Sequence, residues 1–398
     1  MSQTPDNAPR IAIACGGTGG HLFPGLAVAR QLAQRGCAVT LLVSPKDVDQ
    51  QALQAAPEFA AVTLPAVALQ RGSRLAFCRG FVRSYFAARQ LFQSTSPHAA
   101  LAMGGFTSVP PVLAARRAGA RTFLHESNTV PGRANRLLAR WVDTAFLGFP
   151  EAAARLKTRQ TVLTGTPVRP QFQPQDSAAC RRALGLDPQR PVVLVMGGSQ
   201  GASGVNELLL RSLPRLARTA PQWQWLHLTG PNDGDKVRAA YGSVRLTALV
   251  HPFLSRMELA LGAADVAVTR AGASSLAELA ALRLPAVLVP LPTAADNHQH
   301  FNAAALEQSG AARRLDQTTA TPEQLVRALE ELMAPGPVRQ EMQAALARWH
   351  APNAAADIAT QILTTLPVSQ RSNLPTSPTV AGPARPPRSP AHELEVAA

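Results

Sequence analysis

Apolar positions along this chain come in short continuous runs, each followed by a glycine-rich or polar turn and then by apolar residues at helical spacing. The first unit is Ile11-Ala12-Ile13-Ala14, a turn over residues 16–20, and a periodic segment over 26–32. It predicts a strand, a tight turn, and a helix over about 25–35 that stops at Gly36. Further strands are expected at 38–43, 99–103, 121–124 and 144–147, with helices near 110–118 and 135–141. At Val192-Val193-Leu194-Val195-Met196 the pattern restarts. Strands follow near 225–228, 266–269, 286–289 and 312–315, interleaved with helices near Ala202, Ser274, Gln299, Pro322 and Val338. Alternation of this kind predicts an α/β chain of parallel sheets with helices on both faces and ligands beyond the C-terminal strand ends.

Two units of the same kind predict two Rossmann-like domains, over 10–166 and 191–350, joined by a Pro/Gln/Asp-rich linker over 167–190. A last helix over 351–366 is expected to pack back on the first domain. Residues 1–9 and the proline-rich tail 367–398 lack apolar periodicity and are expected to be disordered.

At 398 residues, 46% of them hydrophobic, the chain can bury two cores. No apolar run reaches the ~18 residues of a spanning helix, and the polar start does not resemble a signal peptide, so a cytosolic setting is expected. Cys15, Cys37, Cys78 and Cys180 have no disulfide or metal spacing. The net charge of +14 suits a polyanionic partner, and an aromatic content of 5% argues against nucleic acid, leaving an anionic membrane surface.

The candidate chemistry lies in the turns. Gly16-Gly17-Thr18-Gly19-Gly20 and Gly197-Gly198-Ser199-Gln200-Gly201 each lead a strand into a helix. The first has no G-x-G-x-x-G register, and neither carries the Lys-Ser/Thr of a P-loop. Bare amides at a helix start suit a phosphate or a sugar hydroxyl; a tight turn needing only positive φ is the alternative. His21, just after the first loop, is either structural or a general base. His125-Glu126-Ser127-Asn128 either faces a ligand or makes a polar turn. Arg169, in Gly165-Thr166-Pro167-Val168-Arg169, either clamps a pyrophosphate or forms a surface ion pair. Over Ala273-Ser274-Ser275-Leu276-Ala277-Glu278 the helix start suits a phosphate and Glu278 a pair of vicinal hydroxyls, unless Ser275 and Glu278 form a capping box. Asp296-Asn297-His298-Gln299-His300-Phe301-Asn302 clusters amides able to read sugar hydroxyls. Asp47/Asp49 and Asp233/Asp235 are Asp-x-Asp pairs in expected loops without companion ligands, and no metal is assigned to them. The stretch 71–92 interleaves Arg71, Leu75, Phe77, Arg79, Phe81 and Arg83, as a helix lying on an anionic membrane does; an arginine-rich core helix reads the same way.

Taken together, the six motifs at residues 16–27, 104–108, 125–128, 165–169, 197–201 and 296–299 occur in the order seen in the MurG family of GT-B glycosyltransferases, which the chain resembles over about residues 10–365. The resemblance implies a two-domain GT-B fold and inverting transfer of N-acetylglucosamine from UDP-N-acetylglucosamine to the 4-hydroxyl of the muramyl sugar of lipid I. The product would be lipid II for peptidoglycan synthesis, made without cofactor or metal by a peripheral enzyme on the cytoplasmic face of the inner membrane. Transfer to another lipid such as diacylglycerol is the alternative. The resemblance further implies that Thr18, Gly19, Gly20, Asn128, Arg169, Ser199, Ala273 to Glu278 and Gln299 contact the sugar nucleotide. Leu254 would offer its main chain to uracil, Glu278 would hold the ribose, and His21 would act as base. Ser127, Phe106 and Val109 stand where the family often has glutamine, tyrosine and glycine.

Overall fold

Short runs of small and branched apolar residues build two parallel sheets in the computed structural model, which describes residues 8–46, 49–50, 53, 56–65, 74–198 and 201–371. The first sheet comprises β1 (Arg10–Ala14), β2 (Ala38–Val43), β3 (Ala60–Thr63), β4 (Ala99–Ala102), β5 (Arg121–Glu126), β6 (Thr144–Leu147) and β7 (Thr161–Leu163), in the order β3-β2-β1-β4-β5-β6-β7. The second comprises β8 (Val192–Met196), β9 (Gln224–Leu228), β10 (Thr247–His251), β11 (Val266–Thr269), β12 (Ala286–Leu288) and β13 (Arg313–Arg314), in the order β10-β9-β8-β11-β12-β13. Strand order reverses between β1 and β4 and again between β8 and β11. Crevices at such reversals are where open α/β sheets take ligands. The Gly16–Gly20, 104–108 and 269–272 turns, and Gly197 and Gly198 after β8, therefore all stand at the two reversals.

Alternation along β1 shows how each lobe is filled. Ile11 and Ile13 point to one face, packing with Leu22, Leu26 and Leu32 of the Gly19–Gln34 helix. Ala12 and Ala14 point to the other, where Ala88, Phe92 and Val112 cover them. The Ala354–Thr364 helix crosses back to the first lobe, and its fully buried Ile358 and Ile362 join the cluster around Leu22. Each such side chain contributes about 1.5–3 kcal/mol.

The structure departs from the sequence reading in several places. The first helix begins at Gly19, six residues before the expected Gly25, and carries Pro24 inside it. The residues expected to form a linker include a Ser177–Ala183 helix capped by Asp176, with Arg181 buried against Asp265 at 2.7 Å. Ala8 is buried and the Pro9 carbonyl accepts from Ala38 N–H, so order starts within the segment expected to be disordered. A short Val368–Arg371 helix likewise lies past the expected end of order. Residues 1–7, Asp47, Arg71, Ser199 and the tail from 372 lie outside the described residues. Among the described residues, no helix is long and apolar enough to cross a membrane.

Candidate active site

The first glycine turn is held from behind by a buried carboxylate. Gly17, at φ +117°, donates its N–H to Asp49 Oδ2 at 2.7 Å, and the same oxygen accepts from Ser44 N and Oγ. Thr107 Oγ1 donates to the Gly16 carbonyl at 2.6 Å, tying in the neighbouring turn. Thr18 is the N-cap of the Gly19–Gln34 helix, yet its hydroxyl caps no backbone amide. It meets His21 Nδ1 at 3.2 Å instead. The amides of Gly19 and Gly20 are thus left to face outward with the positive end of the helix dipole.

Pro24 has no N–H to give the Gly20 carbonyl four residues back. That carbonyl accepts from Ser274 Oγ of the other lobe at 3.1 Å. Ser274 belongs to the Ala273–Leu282 helix, whose N-cap is Gly272 and whose first turn has no side-chain cap. The Ser275–Glu278 capping box, the alternative reading of this segment, does not form, because Ser275 is the third helical residue rather than the cap. Two uncapped helix starts therefore meet, and both open into one cavity of about 320 Å³.

The cavity brings together Thr18, Gly19, Gly20, Arg169, Leu254, Ala273, Ser274, Ser275 and Glu278 from the sequence reading. Phe23, Met196, Leu228, Phe253 and Met257 add an apolar end that the sequence did not point to. Gly198 is the second glycine loop's contribution. In the helix that follows, Asn206 donates to the Thr229 carbonyl at 3.0 Å and to Asp233 Oδ2 at 2.7 Å, and accepts from the buried His227 Nε2 at 3.0 Å.

Arg169 is no surface ion pair. Its guanidinium lies 4.3 Å from the Phe23 ring centre and 4.6 Å from that of Phe172, and reaches Glu278 at 3.7 Å. Its Nε is buried without a partner in the protein. Burial pushes the Glu278 pKa up to about 7, opposed by Arg169 and reinforced by Glu258. Burial also lowers Arg169, against the pull of Glu278.

Other candidates lie beside the cavity or away from it. His21 turns toward the first-lobe turn at 104–105: a methyl group on Gly104 would sit 2.8 Å from its Nε2. Loss of solvation pushes its pKa down to about 4, with Asp49 pulling upward and Lys46 downward. Leu276 and Ala277 face a small cavity in the seam between lobes, lined also by Gly165 and Trp349. Gln299 uses its Oε1 to accept from Leu291 N at 2.9 Å, which fixes the turn after β12. Asn128 is bonded to Glu126 and to Asn302.

The polar run that closes β5 and enters the next loop is hydrogen-bonded within the protein, as in the turn reading of that segment. Glu126 accepts from Asn128 N, Gly132 N, and the Asn128 and Asn135 amides. His125 Nε2–H meets the Gly165 carbonyl at 3.1 Å, and Ser127 Oγ meets Nδ1 at 3.2 Å. The expected sugar-reading cluster at 296–302 faces the first lobe instead. Asp296 pairs with Arg133 at 3.0 Å and with Arg136, Arg155 stacks on Phe301 at 5.4 Å, and Asn302 reaches Thr129 and Asn128.

The arginine-rich segment is a helix, Arg74–Thr95, but its aromatic anchors turn inward. Phe77 packs edge-on to Phe106 at 5.4 Å and tilts against Phe81 at 6.4 Å. The outward stripe is Leu75, Val82 and Phe86, which are 88%, 51% and 56% exposed, flanked by exposed Arg79, Arg83 and Arg89.

Two parallel-sheet lobes with their strand ends turned to a shared cavity define a GT-B glycosyltransferase. Residues 11–147 match the glycosyltransferase family 28 N-terminal domain and residues 192–362 its C-terminal domain. The chain belongs to glycosyltransferase family 28. It is 38% identical over 363 residues to the UDP-N-acetylglucosamine--N-acetylmuramyl-(pentapeptide) pyrophosphoryl-undecaprenol N-acetylglucosamine transferase of Acidithiobacillus ferrooxidans, covering 88% of this chain and 96% of that one. The protein of the same name from Anaeromyxobacter sp. is 34% identical over 358 residues, covering 88% and 91%. Among solved structures, Acinetobacter baumannii MurG superposes with a TM-score of 0.69 at 30% identity, covering 89% of this chain and 99% of that one. The glycotransferase of kitacinnamycin, 19% identical with a TM-score of 0.66, shares the fold over 90% of this chain and all of its own.

Proposed function

We propose that the protein transfers N-acetylglucosamine from UDP-N-acetylglucosamine to the 4-hydroxyl of the muramyl sugar of lipid I, with inversion, releasing UDP and forming lipid II for peptidoglycan synthesis. The observation that carries this reading is the pair of uncapped helix starts opening into one cavity beside Glu278 and Arg169. The names of the relatives supply the substrates.

Each part of the donor finds a matching surface. The diphosphate meets the amides of Gly19, Gly20 and Ala273 to Ser275, where the helix dipoles and Arg169 stabilise the charge that builds as the C1–O bond breaks. Glu278 accepts from the ribose hydroxyls. The apolar end near Phe253 and Met257 covers uracil, whose polar edge meets the Leu254 main chain. Gln299, with Oε1 engaged by Leu291, has its amide N–H groups for the sugar; Asn128 and Ser199 complete this set.

His21 takes the proton from the 4-hydroxyl as that oxygen attacks C1, and UDP leaves with the electron pair of the old bond. An imidazole with its pKa near 4 is neutral at pH 7 but a weak base. A negative acceptor diphosphate beside it raises that pKa toward the working range.

The Leu75, Val82 and Phe86 stripe with Arg79, Arg83 and Arg89 docks the enzyme on the anionic cytoplasmic face of the membrane, where a lipid-borne acceptor resides. Incubation with UDP-N-acetylglucosamine and a lipid I analogue, against a diacylglycerol control, tests the reaction by mass spectrometry of the lipid product. Release of UDP with diacylglycerol and not with lipid I would overturn it.

A further inference from the structure

Asn302, fully buried, uses every hydrogen-bonding position of its amide at the boundary between the lobes. Its Oδ1 accepts from Thr129 N and from Thr129 Oγ1, both at 3.0 Å. Its Nδ2 donates to Asn128 Oδ1 at 3.0 Å and to the Ala271 carbonyl at 3.1 Å. The Thr129 backbone N–H at one end and the Ala271 carbonyl at the other fix which end of the amide is oxygen.

These partners belong to different lobes: Ala271 to the second, and Thr129 with Asn128, which is also assigned to the donor sugar, to a loop of the first. Ala271 directly precedes Gly272, the N-cap of the helix assigned to the donor diphosphate. Asn128 and Thr129 lie in the loop that Glu126 orders together with Asn135, whose amide lies, like the His21 ring, against Gly104. Of the other links between the lobes, the pairing of Asp296 with Arg133 and Arg136 joins arginines that are 69% and 42% exposed and is open to screening by salt, and Ser274 Oγ to the Gly20 carbonyl lies within the donor cavity itself. Asn302 is buried and directional, with no capacity left over to tolerate a shift.

We infer that Asn302 is a positioning residue that sets the donor helix against the acceptor loop, so that filling one half-site is felt at the other. This rests on the proposed transferase reading.

The test measures the dissociation constant of UDP-N-acetylglucosamine by calorimetry, with and without a soluble lipid I analogue lacking the 4-hydroxyl, so that no turnover occurs. The wild type is expected to bind donor on the order of tenfold tighter when the analogue is present. Asn302→Ala and Thr129→Val, the latter losing only a hydroxyl, should bring that ratio close to one. For Thr129→Val, which leaves the Asn302 bonds to Asn128 and Ala271 in place, donor affinity measured alone should stay within about twofold, and kcat should fall with donor KM unchanged.

Coupling kept at the wild-type level in both variants, or absent in the wild type, overturns the inference. So does a loss that simply follows a lowered Tm. Should Asn302→Ala fail to fold, Thr129→Val carries the test by itself. A wild type that binds no UDP-N-acetylglucosamine at all overturns the transferase reading instead, and shows this before any variant is made.

Discussion

Glu278 makes donor binding depend on pH in a direction that can be worked out beforehand. Its pKa is pushed up to about 7 by burial, with Arg169 at 3.7 Å offsetting only part of that. Ribose hydroxyls donate to the ionised form, so binding selects the carboxylate and should strengthen as pH rises through 7. The ionised fraction is roughly one tenth at pH 6 and nine tenths at pH 8, so the association constant should rise roughly tenfold. UDP-N-acetylglucosamine, a diphosphate diester, does not titrate in that window. Calorimetry across the range should therefore show the slope in the wild type and a flat, weaker profile in Glu278→Gln, lower by about 1–3 kcal/mol.

Stability should move the opposite way. A carboxyl whose folded pKa is raised favours the folded state fully below its unfolded value of 4.5, and that contribution is lost as pH climbs to about 7. Glu278→Gln should accordingly be more stable than wild type at pH 8, by up to about 3 kcal/mol, and not at pH 4. A wild-type affinity that ignores pH, or a slope that survives in Glu278→Gln, would refute the ribose assignment.

Other substitutions probe separate parts of the account. His21→Ala should lower kcat on the order of 10²–10⁴-fold while leaving donor affinity within about twofold; unchanged turnover would remove the base. Arg79→Glu with Arg83→Glu should weaken binding to vesicles containing anionic lipid by roughly thirtyfold or more, at about 1 kcal/mol per arginine. Activity on a short-chain soluble acceptor should be spared, and equal loss on both acceptors would argue for a core role of that helix. Gly16→Ala would place a methyl group 2.4 Å from Ser44 N and 2.7 Å from the Val43 carbonyl carbon. It should cost about 1–3 kcal/mol, read as a lowered Tm, because the obstacle is backbone.

Much of the architecture was legible because both lobes repeat one local grammar, an apolar run and then a glycine turn. The edges were not. β3, β7 and β10 are short and partly exposed, so their composition does not stand out from loop. The early start of the first helix was hidden by Gly19, Gly20, Pro24 and Gly25, which read as a turn. Only packing explains Gly25: a methyl group there would lie 2.7 Å from Cys15 Cβ, so glycine lets helix and strand approach. The Arg74–Thr95 helix is apolar on more than one side, and periodicity could not say that Phe77 and Phe81 face inward while Val82 and Phe86 face out.

For the site, the residues found in advance are those whose role is local, such as Gly19, Gly20 and the Ala273 to Ser275 turn. Those missed depend on what the fold brings alongside: Phe23 and Phe172 flank Arg169, Asp49 holds Gly17, Asn302 meets Thr129, and the bond from Ser274, itself a candidate, goes to the carbonyl that Pro24 frees. A single chain read in order carries no mark of such pairs.

The central claim is that a nucleotide diphosphate sits between the two helix starts. A crystal structure of the protein with UDP-N-acetylglucosamine tests it most directly. The account predicts phosphate oxygens at hydrogen-bonding distance, about 2.7–3.2 Å, from the amides of Ala273 to Ser275, with the ribose hydroxyls on Glu278. A nucleotide bound elsewhere, with those amides facing only solvent, would contradict it.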